Sequence, residues 1–370
     1  MAEPLKNHYG PKIPKRIGGM IAAVYPAFNR RAFLRDALDG YEALELMPRG
    51  RHIARALHRH LPAAYPAAVK ILLASLEAPG QARGSDLSTF LYLPHTFFVA
   101  EYGLDHLEIS LQAQYELTQR FTAEFSIRPF LERHPEATLA RLWTWASDPS
   151  EHVRRLVSEG TRPRLPWAPR LRAFQRDPVP VLALLELLKD DPALYVRRSV
   201  ANNLNDIGKD HPALLAKVAG QWLKGASPER AWLVRHALRS AVKRAEPGAL
   251  AVLGFGGAAQ VEVSQARLSP KRIPMGGSVA ISFSLTNTTA KQQRVLVDFR
   301  VHFVKANGSA NPKVFKLKVV DLAPGQNISL SKTLSLAEMS TRKHYPGKHL
   351  VELVLNGTMS PLGSFELVKP

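Results

Sequence analysis

The sequence contains no cysteine. That excludes disulfides, thiolate metal sites and cysteine nucleophiles together, and it fits a reducing compartment. No stretch approaches the roughly 20 apolar residues that span a bilayer. The opening KIPKRIGGMIAAVYPAF is basic and then apolar, in the order of a signal peptide. Pro26 interrupts it, however, and Asn29-Arg30-Arg31 follows without a convincing cleavage site, so the chain reads as soluble and cytoplasmic. Phosphate-loop and dinucleotide fingerprints are missing: GFGGAA has glycines but does not lie between a strand and a helix. Acidic residues are scarce as well, with 31 Asp and Glu against 50 Lys and Arg, a net charge of +19. Such an excess points to a polyanionic partner, nucleic acid first and an anionic membrane surface second.

What is present suggests two domains, since 370 residues with 45% apolar content can bury one large core or two ordinary ones. From about residue 11 to 253 the apolar residues recur at helical spacing, broken by segments such as LEAPGQARGSD and KGASPERA. GFGGAAQ at 254–260 reads as a flexible connection. After it, SVAISFSLTNTT, RVLVDFRVHFVKANG, NISLSKTLSLA and HLVELVLNGTM alternate apolar and polar residues between turn signals. The expected architecture is multidomain α plus β: an all-α HEAT-like repeat solenoid over 1–256 and a seven-strand immunoglobulin-like β-sandwich over 257–370. Residues 259–370 hold 15 Lys and Arg against 6 Asp and Glu, so the sandwich is expected to touch the polyanion too.

The solenoid expectation comes from a repeat. DPSEHVRRLVSEG at 148–160 and DPALYVRRSVANN at 191–203 share Asp-Pro and Val-Arg-Arg at an interval of 43 residues. On a helix, Val153, Leu156 and Val157 form one apolar stripe, as do Val196, Val200, Leu204 and Ile207, leaving the second arginine of each pair away from the core. A looser copy, SPERAWLVRHALRS, places Val234-Arg235-His236 a further 38 residues on. Helical units at about 40 residues have the HEAT period. Their arginines form either a row that follows a phosphate backbone or an ordinary solvated face.

Four residues do not suit a plain scaffold. In YELTQRFTAEFSIRPF, Leu117, Phe121 and Phe125 read as a helical stripe with Glu124 on the same face, where an unpartnered carboxylate is costly. Glu159 precedes Gly160 at a helix end and Asp206 comes late in its helix, where the dipole disfavours negative charge. Repeat register places these two acids on equivalent surfaces beside the arginines; an i,i+4 pair of Arg155 with Glu159 is the plain alternative. Trp167 ends EGTRPRLPW, a Pro-rich loop, either as a packing anchor or as the aromatic wall of a cation site built with those carboxylates. An alkylated base is one such cation. Its departure leaves an oxocarbenium-like sugar, which a fixed carboxylate stabilises while orienting water.

The segments YELTQRFTAEFSIRPFL, SEGTRPRLPWA and VRRSVANNLNDIGKDHP, with KIPKRIGGMI in support, resemble the AlkC-type alkylpurine DNA glycosylases, within the AlkC/AlkD group of HEAT-like-repeat DNA repair enzymes. The resemblance covers essentially the whole chain, because a C-terminal immunoglobulin-like domain separates AlkC from the repeat-only AlkD type. It implies a monofunctional, cofactor-free enzyme. The implied reaction is hydrolysis of the N-glycosidic bond of cationic N3-alkylated bases, chiefly 3-methyladenine and also 3-methylcytosine, in double-stranded DNA without full base flipping. Carried over by position, Asp206 stabilises the oxocarbenium and positions water, Glu159 assists, Glu124 supports and Trp167 meets the cationic base. Arg154, Arg155, Arg162, Arg164, Arg197 and Arg198 are the expected DNA contacts in the repeats, with Lys271 and Arg272 in the sandwich. The chain is expected to act as a monomer.

Two other readings stay open from the residues: a non-enzymatic nucleic-acid-binding scaffold, and a bifunctional glycosylase with Lys209 as Schiff-base nucleophile. His52, His58 and His60 in HIARALHRH match no metal-ligand spacing and read as basic helix surface, so no metal is expected.

Overall fold

The computed structural model describes residues 5–78, 89–339 and 342–369, and most of the loop expected at LEAPGQARGSD lies outside them. Two compact units are present: Glu3–Asp210 with Ala226–Ala237, and His211–Gly225 with Leu238–Pro370.

The described residues of the first unit form helices joined by turns and loops, with no strand among them. Lys12–Val24, Arg30–Leu38, Leu46–His60, Tyr65–Ala74, Leu93–Tyr102 and Leu107–Thr118 bury one face each. Ile17, Phe33, Ile53 and Leu57 are wholly enclosed in the resulting core, at about 1.5–3 kcal/mol of favourable burial per large side chain. Ile127–Arg133, Pro135–Trp145, Glu151–Gly160, Val179–Leu188 and Leu194–Ile207 follow. The stripes expected from the repeat are buried: Val153, Leu156 and Val157 in one helix, Val196, Val200, Leu204 and Ile207 in the other. These two helices lie side by side, joined by the 2.7 Å hydrogen bond from Ser158 Oγ to Ser199 Oγ.

The Asp-Pro start has a structural use in both copies. Asp148 Oδ1 accepts from the Ser150 amide at 2.8 Å and Asp191 Oδ1 from the Ala193 amide at 2.9 Å, so each aspartate satisfies a backbone donor as its helix begins. Six residues on, the first arginine folds back: Arg154 Nη1 donates to the carbonyls of Asp148 and Pro149, and Arg197 Nη1 to those of Asp191 and Pro192. Arg154 also grips the Asp191 carboxylate with Nε at 2.6 Å and Nη2 at 3.1 Å, tying one repeat to the next.

Glu124 departs from the expected helical stripe. The helix stops at Thr118, because Arg120 turns its guanidinium back onto the Glu116 carbonyl at 2.8 Å and across to the Glu77 carbonyl at 2.7 Å. Glu124 therefore stands in the turn before Ile127–Arg133, not on a helix face.

The second unit contains Pro212–Leu223, the end of Pro228–Lys243, Pro247–Val252 and a β-sandwich. Its strands are β1 (Val261–Ser269), β2 (Arg272–Pro274), β3 (Ser278–Asn287), β4 (Gln293–Val304), β5 (Ala310–Leu322), β6 (Asn327–Ser335), β7 (Gly347–Leu355) and β8 (Thr358–Val368). They form sheets β1-β3-β6 and β2-β8-β7-β4-β5. Seven antiparallel strands match the expected sandwich; the additional strand is β2, three residues that pair parallel with β8. The expected flexible connection is anchored: Phe255 is buried beneath the Arg294 guanidinium, and Asn356 donates to the Gly257 carbonyl at 3.1 Å.

Candidate active site

Glu124, Glu159 and Asp206 come together in the helical unit as one row of alternating charge. Arg155 Nη1 lies 2.6 Å from Glu124 Oε2, and its Nη2 lies 3.6 Å from Glu159 Oε1. Arg162 Nη1 is 2.6 Å from the same Glu159 oxygen, while its Nε and Nη2 both reach Asp206 Oδ2 at 2.8 Å. Lys209 Nζ closes the row at 2.8 Å from Asp206 Oδ1. The order is Glu124, Arg155, Glu159, Arg162, Asp206, Lys209. Repeat geometry explains the spacing: Glu159 ends one repeat helix, Asp206 ends the equivalent helix, and Arg162 leaves the loop between them to bind both.

Neutral groups complete the carboxylate shells. Thr122 Oγ1 donates to Glu124 at 3.0 Å and Ser199 Oγ to Glu159 at 2.6 Å. Asp206 is only 1% exposed. Burying charges at this depth is costly unless each is paired and hydrogen-bonded, and here each is. Burial alone would lower the Arg155 and Arg162 guanidiniums; the adjoining carboxylates reverse this and hold both above the ordinary arginine range. Arg155 also lies over the Tyr195 ring, 5.1 Å from its centroid.

Trp167 sits apart from the row on the 161–171 loop, with φ +62° and 67% exposure. A tryptophan in the left-handed region is strained, a feature that clusters at ligand-binding segments. Among the described residues its indole bonds to none of the three carboxylates. It faces a cavity of about 140 Å³ whose lining includes Met47, Phe97, Phe125, Arg128 and Leu171. The loop is pinned by Arg128, which donates to the carbonyls of Gly160 at 3.0 Å, Arg162 at 2.8 Å and Pro169 at 2.5 Å. Burial pulls the Arg128 guanidinium down to about 10, against the opposing pull of Glu132.

The arginines expected at phosphates divide. Arg154 and Arg197 staple helix starts, Arg155 and Arg162 hold the carboxylates, and Arg164 binds Asp210 through Nε at 2.9 Å. Arg198 is exposed on its helix. In the sandwich, Lys271 and Arg272 are exposed and line a shallow groove with Lys348; Arg272 pairs with Glu366 at 3.2 Å. Of the histidines, His60 pairs with Asp36 at 2.9 Å, His52 bonds the Asp36 carbonyl and His58 stacks on Tyr102, so they serve three separate contacts.

Sequence reasoning missed Arg128, Thr122, Tyr195 and Ser199. Arg128 alone left a signal, an arginine between Ile127, Phe130 and Leu131, all of which are buried.

Residues 262–369 match the family described as the C-terminal Ig-like domain of uncharacterised protein YhaZ. The chain is 38% identical over 364 residues to the uncharacterized protein YhaZ of Bacillus subtilis strain 168, covering 98% of this chain and 99% of that one. It is also similar to the Pseudomonas fluorescens alkylpurine DNA glycosylase AlkC, solved bound to DNA containing an abasic site analog. That match has a TM-score of 0.90 and 38% identity, and covers 99% of this chain and 100% of the other. With that identity along the full length of both sequences, the chain belongs to the AlkC family of alkylpurine DNA glycosylases.

Proposed function

We propose that this DNA glycosylase hydrolyses the N-glycosidic bond of cationic N3-alkylated bases, 3-methyladenine and 3-methylcytosine, in double-stranded DNA without flipping the base fully out. The observation that carries the reading is the row of three carboxylates, Glu159 and Asp206 buried and Glu124 partly so, in a chain of net charge +19 that matches a DNA-bound AlkC along its whole length. A cationic base leaves without prior protonation, so the protein's task is to stabilise the sugar cation and present water. Asp206 performs both, Glu159 assists through the Arg162 they share, and Glu124 fixes Arg155 at the far end. Trp167 offers an exposed aromatic face to the charged base. Arg198, Lys271 and Arg272, all exposed, contact phosphates.

The test is base release from methylated duplex DNA. Asp206→Asn is expected to lower release of 3-methyladenine by about 100-fold or more, the scale seen when one transition-state-stabilising group is lost, while binding of undamaged duplex persists. Full activity in this variant removes Asp206 from the mechanism.

A further inference from the structure

Lys209 differs from the other two cations of the row. Its side chain is 37% exposed, against 16% for Arg155 and 10% for Arg162. It also has one carboxylate partner where each arginine has two, and it stands in the turn after Leu194–Ile207 on a flexible four-carbon stem. The row is electrically balanced as it stands, three carboxylates against three cations. The charges beside it balance too, Arg128 against Glu132 and Arg164 against Asp210. A balanced site gives a cationic base little electrostatic advantage over a neutral one. Asp206 is also covered on both oxygens, Oδ2 by Arg162 and Oδ1 by Lys209, and of these covers the lysine is the more exposed.

We propose that Lys209 is a specificity-determining residue: its ammonium covers Asp206 Oδ1 in the free protein and passes to a backbone phosphate of bound DNA, leaving the row with one negative charge in excess for a cationic base. The proposal rests on the glycosylase reading above. A lysine ammonium is a compact donor that exchanges one anion for another without geometric penalty, unlike the bidentate arginine beside it. No covalent step is involved.

The experiment separates binding from chemistry. Affinity for an undamaged duplex is measured between about 50 and 200 mM salt, and single-turnover release of 3-methyladenine is measured at saturating protein, for the parent, Lys209→Met and Lys209→Arg. One phosphate contact contributes about 0.9 to the slope of log affinity against log salt, so Lys209→Met is expected to lose about 3.5-fold less affinity than the parent over that range. Lys209→Arg is expected to retain the parental slope. Release by Lys209→Met is expected to fall less than about tenfold, because the covering charge has already left Asp206 when the bond breaks.

An unchanged slope overturns the proposal, since Lys209 then meets no phosphate; a tenfold or greater drop in release overturns it too, since Lys209 would then act on Asp206 during the reaction. A borohydride-trapped adduct lost in Lys209→Met overturns it as well, by showing covalent participation. If the parent releases no base while Lys209→Met still flattens the slope, the hand-over stands and the glycosylase reading falls.

Discussion

Arg162→Met removes the guanidinium that Glu159 and Asp206 share while keeping much of its stem. The lost contacts are 2.6 Å and 2.8 Å long, to carboxylates on residues 6% and 1% exposed. Removing one partner of a buried ion pair costs about 3–5 kcal/mol, because the surviving charge is stranded away from water. Here Glu159 keeps Ser199 and a 3.6 Å approach from Arg155, and Asp206 keeps Lys209 at 2.8 Å. These remaining partners place the loss near the lower end, about 3 kcal/mol, still a large part of the roughly 5–15 kcal/mol that keeps a domain folded. Urea unfolding followed by helical circular dichroism is expected to show the midpoint falling with an unchanged m-value. Glu159→Gln in the same background removes one stranded charge and is expected to return about half the loss, the signature of coupled neighbours in a double-mutant cycle. A single variant within about 1 kcal/mol of the parent, or a coupling under about 0.5 kcal/mol, refutes the view that these charges depend on one another.

Other perturbations address the loop and the sandwich. Arg128→Met leaves the carbonyls of Gly160, Arg162 and Pro169 without their donor and frees the segment carrying Trp167; release of methylated base is expected to fall at least tenfold while affinity for undamaged duplex changes less than threefold, measured by single-turnover kinetics beside equilibrium binding. In the sandwich, the hydrogen bond from Arg300, reinforced by His302, holds the Glu352 carboxyl down at about 2. A carboxyl depressed in the folded state stabilises fully above its unfolded value, and that stability disappears as pH falls toward 2. Glu352→Gln is therefore expected to flatten this acid-side loss, read as sandwich unfolding followed from pH 5 down to about pH 2.

Much of the fold was legible because its signals are local. Period 3.6 up to residue 253, alternation beyond 260 and the repeated Asp-Pro each report on nearby backbone, and the stripes of Val153 and Val196 are buried as their spacing requires. The arginines were harder, because adjacent letters of one motif have different uses: Arg154 turns back to its own helix start, whereas Arg155 points into the carboxylate row. No periodicity distinguishes them. Glu124 was singled out through a helical stripe that the structure lacks, since a helix end fixed by Arg120 and the distant Glu77 carbonyl leaves no trace in local spacing. The bonds from Ser199 to Glu159 and from Arg128 to the loop depend on packing across 32 to 41 residues of sequence and were not visible for the same reason, while Thr122 reaches Glu124 two residues away within a turn that has no periodic signal.

The Asp-Pro staple also bears on how such a chain changes length. The aspartate oxygen and the arginine six positions later both close onto backbone of their own unit, in each of the two clear copies. Duplication or loss of an entire 43-residue module therefore carries its own helix-start closure with it. The side-chain bonds that cross from one repeat to the next, among them Arg154 to Asp191, Ser158 to Ser199 and Arg162 to Asp206, must find replacements at the junction. A single-residue insertion between proline and arginine, by contrast, rotates the guanidinium about 100° around the helix and undoes the closure. A shift by a whole module keeps the helix-start closure that a one-residue slip breaks.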